Sequence, residues 1–438
     1  MSNPIVQRFK SRDATIGVVG LGYVGLPLCA AFGKAGFRVL GFDVDPQKVE
    51  RINRGESYID AVPGEDLAQL VEAKQVEATC DFSRAAEVQA VAICVPTPLT
   101  KNMDPDTSYM ERTAESIGPH LQPGTLVVLE STTYPGTTDG LLGPILERTS
   151  GLKVGETLYL AYSPERENPG TKWTTHAIPK VAGADDPISR EAVQALYTGA
   201  VADVIPVSSA RVAESAKLLE NIYRCVNIAL VNELKVCFAR MGVDIFEVID
   251  AARTKPFGFT PFWPGPGLGG HCIPIDPVYL SWKAKEFGVR TKFIDLAQEV
   301  NTAMPEYVLE RCMDALNTQQ KALNGAKVLF LGVAYKKDVD DVRESPALVL
   351  WDLFSAKGAQ LDFHDPHVAR LGRGRHYDIN RDSVTLSDEA LKSYDLVVIV
   401  TDHSSIDWKQ VVDQAPLVVD TRNATREVRG DATHVFLA

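Results

Sequence analysis

The sequence predicts an α/β protein made of two Rossmann-like, doubly wound parallel-sheet domains joined by a helical domain with one long helix. Three observations carry this reading. A glycine-rich strand–turn–helix–strand unit opens the chain, residues 208–241 contain neither Gly nor Pro, and βα alternation restarts near residue 326. At 438 residues the chain is also too long for one ordinary core.

The opening unit, ATIGVVGLGYVGLPLCAAFGKAGFRVLGFDVD, reads as a strand, a glycine turn, a helix closed by Gly36 and a second strand ending at Asp43. Apolar runs at 90–96, 125–131 and 158–164 add strands to a first domain, 1–207. In the middle domain, 208–305, apolar residues recur at helical spacing through 208–241, and Gly242 stops that helix. A second helix starts at Asp244, an N-cap with Glu247 three residues on. A third is read with Asp276 as N-cap, Pro277 as its first residue and Gly288 as its stop. The last domain, 306–438, has strands in 326–335, AQLDFHDP, 395–402 and 416–422, with a helix at 345–357.

Hydrophobic residues make up 45% and charged residues 23%, the balance of a soluble globular chain. The N-terminus lacks a signal-peptide apolar core and no apolar run is long enough to span a bilayer, so a cytoplasmic protein is expected. A formal charge of −12 argues against nucleic acid or an anionic membrane as partner, and an anionic small ligand would need local basic residues. Seven cysteines, scattered and without a CxxC pair, are expected to be reduced.

Gly20, Gly22 and Gly25 form GxGxxG between strand and helix, where backbone and helix N-terminus can approach a pyrophosphate. Asp43 ends the next strand, placed to accept ribose hydroxyls. It would repel a 2′-phosphate, and Val44, Asp45 and Pro46 supply no arginine for one, so NAD is the expected cofactor. Cys272 lies on a glycine-rich loop at a helix N-terminus, whose dipoles stabilise the nucleophilic thiolate. Lys217 and Asn221, four apart, share a helix face, although the spacing alone fits a solvated lysine better. Glu165 follows a strand end, where open sheets place ligand sites. His271, His364 and His367 do not assemble a ligand set at known spacing, so no metal is expected.

The motifs GVVGLGYVGLP, CVPTP, ESTTYPGT, SPERENPG, AKLLENIYRCVNIALVNE, PGPGLGGHCIPIDP and GVAYKKDVDDVRESPA occur in one order over nearly the whole chain. In this the sequence resembles the UDP-glucose/GDP-mannose dehydrogenase family, most of all its bacterial UDP-N-acetylglucosamine 6-dehydrogenases of lipopolysaccharide O-antigen pathways. The resemblance implies a cytoplasmic homodimer or higher homo-oligomer that oxidises a UDP-sugar C6 alcohol twice, with NAD as hydride acceptor and a thiohemiacetal and thioester on Cys272. It implies that Lys217, Asn221 and Asp276 handle the C6 oxygen, protons and water, with Glu165 and Thr132 assisting. Gly20, Gly22, Tyr23, Val24, Gly25, Asp43, Lys48, Thr97, Ser131, Thr132 and Arg343 correspond to NAD contacts. The sugar-nucleotide contacts would come from Glu165, Arg166, Lys217, Asn221, Trp263, Gly265, Gly267, Gly269, Tyr335, Lys336 and Arg422.

Two departures from the UDP-glucose branch, Arg166 followed by residues 167–170 and a longer loop before Cys272, favour an N-acetylated sugar. UDP-glucose and UDP-N-acetylmannosamine are the alternatives. More remote readings are a single-step β-hydroxyacid dehydrogenase, which would lack the third α/β domain, and a non-catalytic NAD sensor.

Overall fold

The computed structural model describes residues 3–59, 61–166, 177–270, 272–374 and 377–438. The chain divides into two compact units, Met1–Glu220 with Val278–Val289, and Asn221–Pro277 with Arg290–Ala438.

The first unit is built on eight strands: Thr15–Val19 (β1), Arg38–Phe42 (β2), Val76–Thr79 (β3), Ala90–Ile93 (β4), Leu126–Leu129 (β5), Tyr159–Tyr162 (β6), Lys180–Gly183 (β7) and Val204–Val207 (β8). Their order, β3-β2-β1-β4-β5-β6-β7-β8, reverses between β1 and β4, the switch point of a doubly wound sheet. Alternate residues of the central strands feed two cores. Ile16, Val18, Ala90, Ala92, Leu126 and Val128 pack on one face, and Val19, Val91, Ile93, Val127 and Leu129 on the other. Burial on both faces is why these strands read as unbroken apolar runs.

The second unit carries five parallel strands: Lys327–Leu331 (β9), Gln360–His364 (β10), Leu396–Ile399 (β13), Val418–Asp420 (β14) and Val435–Leu437 (β15). Their order is β10-β9-β13-β14-β15, again with one reversal. A separate antiparallel hairpin, Arg370–Arg373 (β11) with Asp378–Asp382 (β12), stands apart. The 31-residue helix Ala210–Arg240 spans the predicted stretch, ending before Gly242 at φ +71°. Helix Ile245–Ala252 starts where expected, with Asp244 accepting from the Phe246 N–H at 2.8 Å. No helix among the described residues is long and apolar enough to cross a membrane.

The structure corrects the sequence reading in three places. The third helix starts at Cys272, not after Asp276, and runs to Lys285 with Pro277 inside it. The Asp-Pro start signal loses because the Asp276 carboxylate is occupied elsewhere, accepting from the Asn221 amide. Pro274, third in the helix, lacks only an N–H that would have had no partner there. Secondly, β7 meets β6 antiparallel, through Tyr162 and Gly183, so the sheet is not wholly parallel. Thirdly, an unforeseen helix, Pro4–Ser11, is capped by Asn3 and buries Ile5, Val6 and Phe9 in the first core.

What stitches the reversed strand to the sheet is a buried charge cluster. Lys180 of β7 is 4% exposed and lies 2.7 Å from Oε2 of Glu130, itself 1% exposed at the end of β5. The Tyr197 hydroxyl donates to the other Glu130 oxygen. Burial alone would lower the lysine pKa, but attraction to Glu130 and Glu165 outweighs it and leaves it raised, so Lys180 is held as the ammonium. Replacing Lys180 with Met strands Glu130 as a buried charge and is expected to cost about 3–5 kcal/mol in urea unfolding. A second substitution, Glu130→Gln, is expected to recover part of that loss.

Candidate active site

In the first unit the dinucleotide turn sits at the sheet's switch point. Gly20, at φ +90°, donates its N–H to the Phe42 carbonyl at 2.8 Å. A Cβ on Gly25 would lie 1.9 Å from the Gly20 carbonyl oxygen, so only glycine lets helix Gly25–Lys34 start against this turn. A Cβ on Gly22, by contrast, would meet no protein atom within 4 Å. That glycine is therefore not demanded by packing, and it suits a backbone that a pyrophosphate must approach closely. Tyr23 beside it is 44% exposed, while Val24 is partly buried.

Asp43 is fixed from below. Its Oδ2 accepts from the Leu21 N–H at 2.9 Å and its Oδ1 from the Asp45 N–H at 3.0 Å, while the Lys48 ammonium lies 3.5 Å from Oδ2. Each carboxylate oxygen keeps acceptor capacity for a ribose hydroxyl. These groups fit NAD: the glycine turn would hold its pyrophosphate, and Asp43 its adenosine ribose.

The loop after β5 is tied down at several points. Ser131 Oγ donates to the Val95 carbonyl at 2.7 Å and Thr97 Oγ1 to the Thr132 carbonyl at 2.8 Å. From the long helix, buried Glu214 accepts from Gly136 N at 2.6 Å, Thr138 N at 2.9 Å and Thr138 Oγ1 at 2.6 Å. Lys217, 6% exposed, donates to the Glu165 carbonyl at 2.6 Å. The alternative of a solvated helix lysine is thus set aside. The Glu165 carboxylate lies 3.8 Å from Lys180, at the margin of the buried cluster. Arg166 grips Glu220 with two nitrogens, at 2.7 and 3.3 Å. Residues 167–170 lie outside the described residues.

In the second unit, Cys272 is the first residue of its helix and partly buried. Asp276, 3% exposed, is one turn further on the same face. The Asn221 amide donates to Asp276, and its carbonyl oxygen accepts from Arg224. The loop before the cysteine is held by Asn232, whose carbonyl accepts from Gly265 N at 3.0 Å. Trp263 is 45% exposed. Gly267 adopts φ +142°. A Cβ on Gly269 would lie 2.7 Å from Tyr335, and one on Gly265 2.5 Å from the Arg422 guanidinium. Tyr335 and Lys336 adjoin this loop's end, with the Lys336 ammonium 5.7 Å from the Tyr335 ring centre. Burial, then repulsion from Arg224, pushes the Lys336 pKa down. Arg343 forms a fork with Asp341 at 2.6–3.0 Å, and its carbonyl accepts from Gly270 N at 3.1 Å.

Sequence reasoning missed Glu130, Lys180, Glu214, Arg224, Asn232 and Lys235. Their partners lie far along the chain, so no local spacing signals them; burial on the inner face of the long helix was the only available clue for Glu214, Asn232 and Lys235. All seven cysteines are free thiols. Among the described residues one trio, Asp338, His367 and His403, brings potential metal ligands within 4.8 Å. Both His403 nitrogens are engaged, Nδ1 accepting from Asp338 N at 3.1 Å and Nε2 against Asp365 Oδ2 at 3.0 Å, which leaves it no lone pair for a metal. His364 is turned to the Val384 carbonyl at 2.8 Å, and His271 lies outside the described residues.

The glycine turn and Asp43 of the first unit point to a nucleotide-dependent dehydrogenase, and Cys272, Asp276 and Asn221 all stand in the second unit. Comparison with known proteins agrees. The NAD binding, central and UDP binding domain models of the UDP-glucose/GDP-mannose dehydrogenase family match residues 14–201, 211–303 and 329–427. The chain belongs to this family of NAD-binding oxidoreductases, and its curated relatives include UDP-sugar dehydrogenases. It is 36% identical over 395 residues to a UDP-N-acetyl-D-glucosamine 6-dehydrogenase of Pseudomonas aeruginosa, covering 90% of this chain and 91% of that protein. It is 33% identical to a UDP-N-acetyl-D-mannosamine dehydrogenase of Pyrococcus horikoshii, covering 94% and 96%. A solved structure of UDP-D-ManNAc dehydrogenase from Pyrococcus horikoshii matches with a TM-score of 0.87 at 30% identity, covering 97% of this chain and 98% of that one.

Replacing Gly22 with Ala should leave the melting temperature unchanged, since the added Cβ meets no protein atom within 4 Å. It should weaken NAD binding by about tenfold or more, measured by calorimetric titration, because the side chain blocks backbone approach.

Proposed function

We propose that this protein oxidises the C6 hydroxyl of UDP-N-acetylglucosamine twice, giving UDP-N-acetylglucosaminuronic acid through a thiohemiacetal and a thioester on Cys272. The observation that carries this is the placing of Cys272 at a helix start, on one face with Asp276, whose carboxylate is bound by Asn221. Lys217 precedes Asn221 by one turn of the same helix, on the same face.

NAD, when bound, supplies the hydride acceptor for both oxidations. Everything else falls to side chains. The helix N-terminus holds Cys272 as the thiolate, which adds to the C6 aldehyde. The Lys217 ammonium, with donors left beyond its bond to Glu165, and the Asn221 amide stabilise the oxyanion, a contribution of about 100-fold or more in rate. Asp276 takes up and returns protons at the C6 oxygen, and Glu165 with Thr132 places the water that hydrolyses the thioester. Lys336 and Arg422 supply charge for the substrate diphosphate, and Trp263 with the Gly265, Gly267, Gly269 loop encloses the nucleotide sugar. Tyr335, Arg166 and Arg343 complete the contacts, Arg343 on the cofactor side.

The N-acetylated substrate is supported by the Arg166 segment and the long loop before Cys272. Relatives named for both N-acetylglucosamine and N-acetylmannosamine support an N-acetylated sugar without choosing between them. We place the reaction in the cytoplasm, on a route to lipopolysaccharide O-antigen. The working form is a homodimer: Val212, Leu219, Tyr223 and Leu230 are 44–66% exposed and recur at seven and four residues on the long helix, one apolar face suited to a second copy.

A panel of UDP-N-acetylglucosamine, UDP-N-acetylmannosamine and UDP-glucose tests the assignment. Two NADH per sugar are expected, with kcat/KM about tenfold or more in favour of UDP-N-acetylglucosamine. One NADH per sugar would overturn the two-step chemistry, and preference for another sugar would overturn the substrate.

A further inference from the structure

Lys235 is a buried lysine that neither the fold nor the proposed chemistry uses. It lies on the long helix and is 4% exposed. Among the described residues its ammonium makes one hydrogen bond, to the Gly265 carbonyl at 3.5 Å, and stands 5.7 Å from the Tyr307 ring centre. An ammonium has three donors, and a charge this buried is costly unless paired. The carboxylate that acts on it, that of Asp420, is already engaged. Asp420 already accepts from Arg422 N at 2.9 Å, Thr425 N at 2.8 Å and Thr425 Oγ1 at 2.7 Å. A second cation, Arg422, acts on it more strongly than Asp420 does. The Arg422 guanidinium is pressed against Gly265, the residue whose carbonyl Lys235 meets, and one of its nitrogens is spent on the Val400 carbonyl at 3.0 Å.

We propose that Lys235 and Arg422 together form a two-cation seat for the diphosphate of the nucleotide sugar, and that Lys235 takes up a proton when that diphosphate binds. This rests on the UDP-sugar reading of the site and adds Lys235 to it as a binding residue. Lys235 and Arg422 meet the same loop residue, Gly265; Asp402 and Asp420 act on Arg422, while Lys235 has only Asp420, so a diphosphate would give it the counter-charge it lacks. Burial, then Arg422, pushes the free Lys235 down to about 7, with Asp420 acting weakly against this. Slightly above neutral pH the free lysine is therefore mostly the amine, and a phosphate beside it restores the ammonium. The sign follows: binding consumes a proton, so affinity falls as pH rises from about 7 to about 9, by up to about tenfold per unit.

The test is calorimetric titration of the full-length protein, without NAD, with UDP-N-acetylglucosamine and separately with UDP-glucose, whose diphosphates do not titrate near neutrality. Heats compared in two buffers of different ionisation enthalpy at about pH 8 are expected to show uptake of about one proton per ligand. Lys235→Met is expected to bind about tenfold or more weakly, with no proton uptake and unchanged NAD affinity. Equal binding by this variant, or wild-type binding without proton uptake, overturns the role of Lys235 and leaves the UDP-sugar reading intact. Uptake with UDP-glucose but no binding of UDP-N-acetylglucosamine supports Lys235 and overturns the substrate assignment. Binding of neither sugar nucleotide overturns both. Should Lys235→Met fail to fold, Lys235→Arg, which keeps a cation that does not titrate near neutrality, is expected to bind without the proton uptake; uptake retained in that variant comes from another group, such as Lys336, and overturns the proposal.

Discussion

The hydrogen bond from Asn221 to Asp276 is the constraint around which the second unit's chemistry is arranged. Asp276 is a carboxylate almost wholly removed from water, one turn into a helix, and such a group needs a donor. Because Asn221 supplies it, the carboxylate does not cap a helix beginning at Pro277, and the helix extends back to Cys272. The thiol thereby gains the helix N-terminus and shares a face with Asp276. The same bond sets the face of the long helix on which Lys217 also stands, four residues before Asn221.

Charge is the second organising theme. The chain carries a net −12, yet the second unit gathers cations where a diphosphate would be held. Arg224 lies close enough to Lys336 to depress it, and Arg422 does the same to Lys235. Each pair is unfavourable by itself. On the proposed reading, an anionic substrate would relieve that repulsion. The first unit does the opposite: Lys180 and Glu130 neutralise one another within the fold and hold a reversed strand in place.

Much of the fold was legible because its signals are local. Strands buried on both faces announce themselves as apolar runs, and the glycine turn carries its own steric reasons at Gly20 and Gly25. Short elements were harder: β3, β7 and β15 have only three or four residues each, too few to show a period. The helix start at Cys272 was misread because Asp-Pro is a good start signal, and only the tertiary bond to Asn221 overrides it. In the candidate site, Cys272 and Asp43 could be argued from their settings. Glu130 and Lys180, fifty residues apart, could not, and Lys235 was one of two lysines on the long helix, with no local signal that its side chain is buried.

The covalent role of Cys272 is the centre of this account, and it is tested most directly by the products of a Cys272→Ala variant. With substrate and excess NAD, chromatographic analysis should show no UDP-sugar acid while the variant still binds both ligands. Full turnover to the acid in that variant would contradict the account.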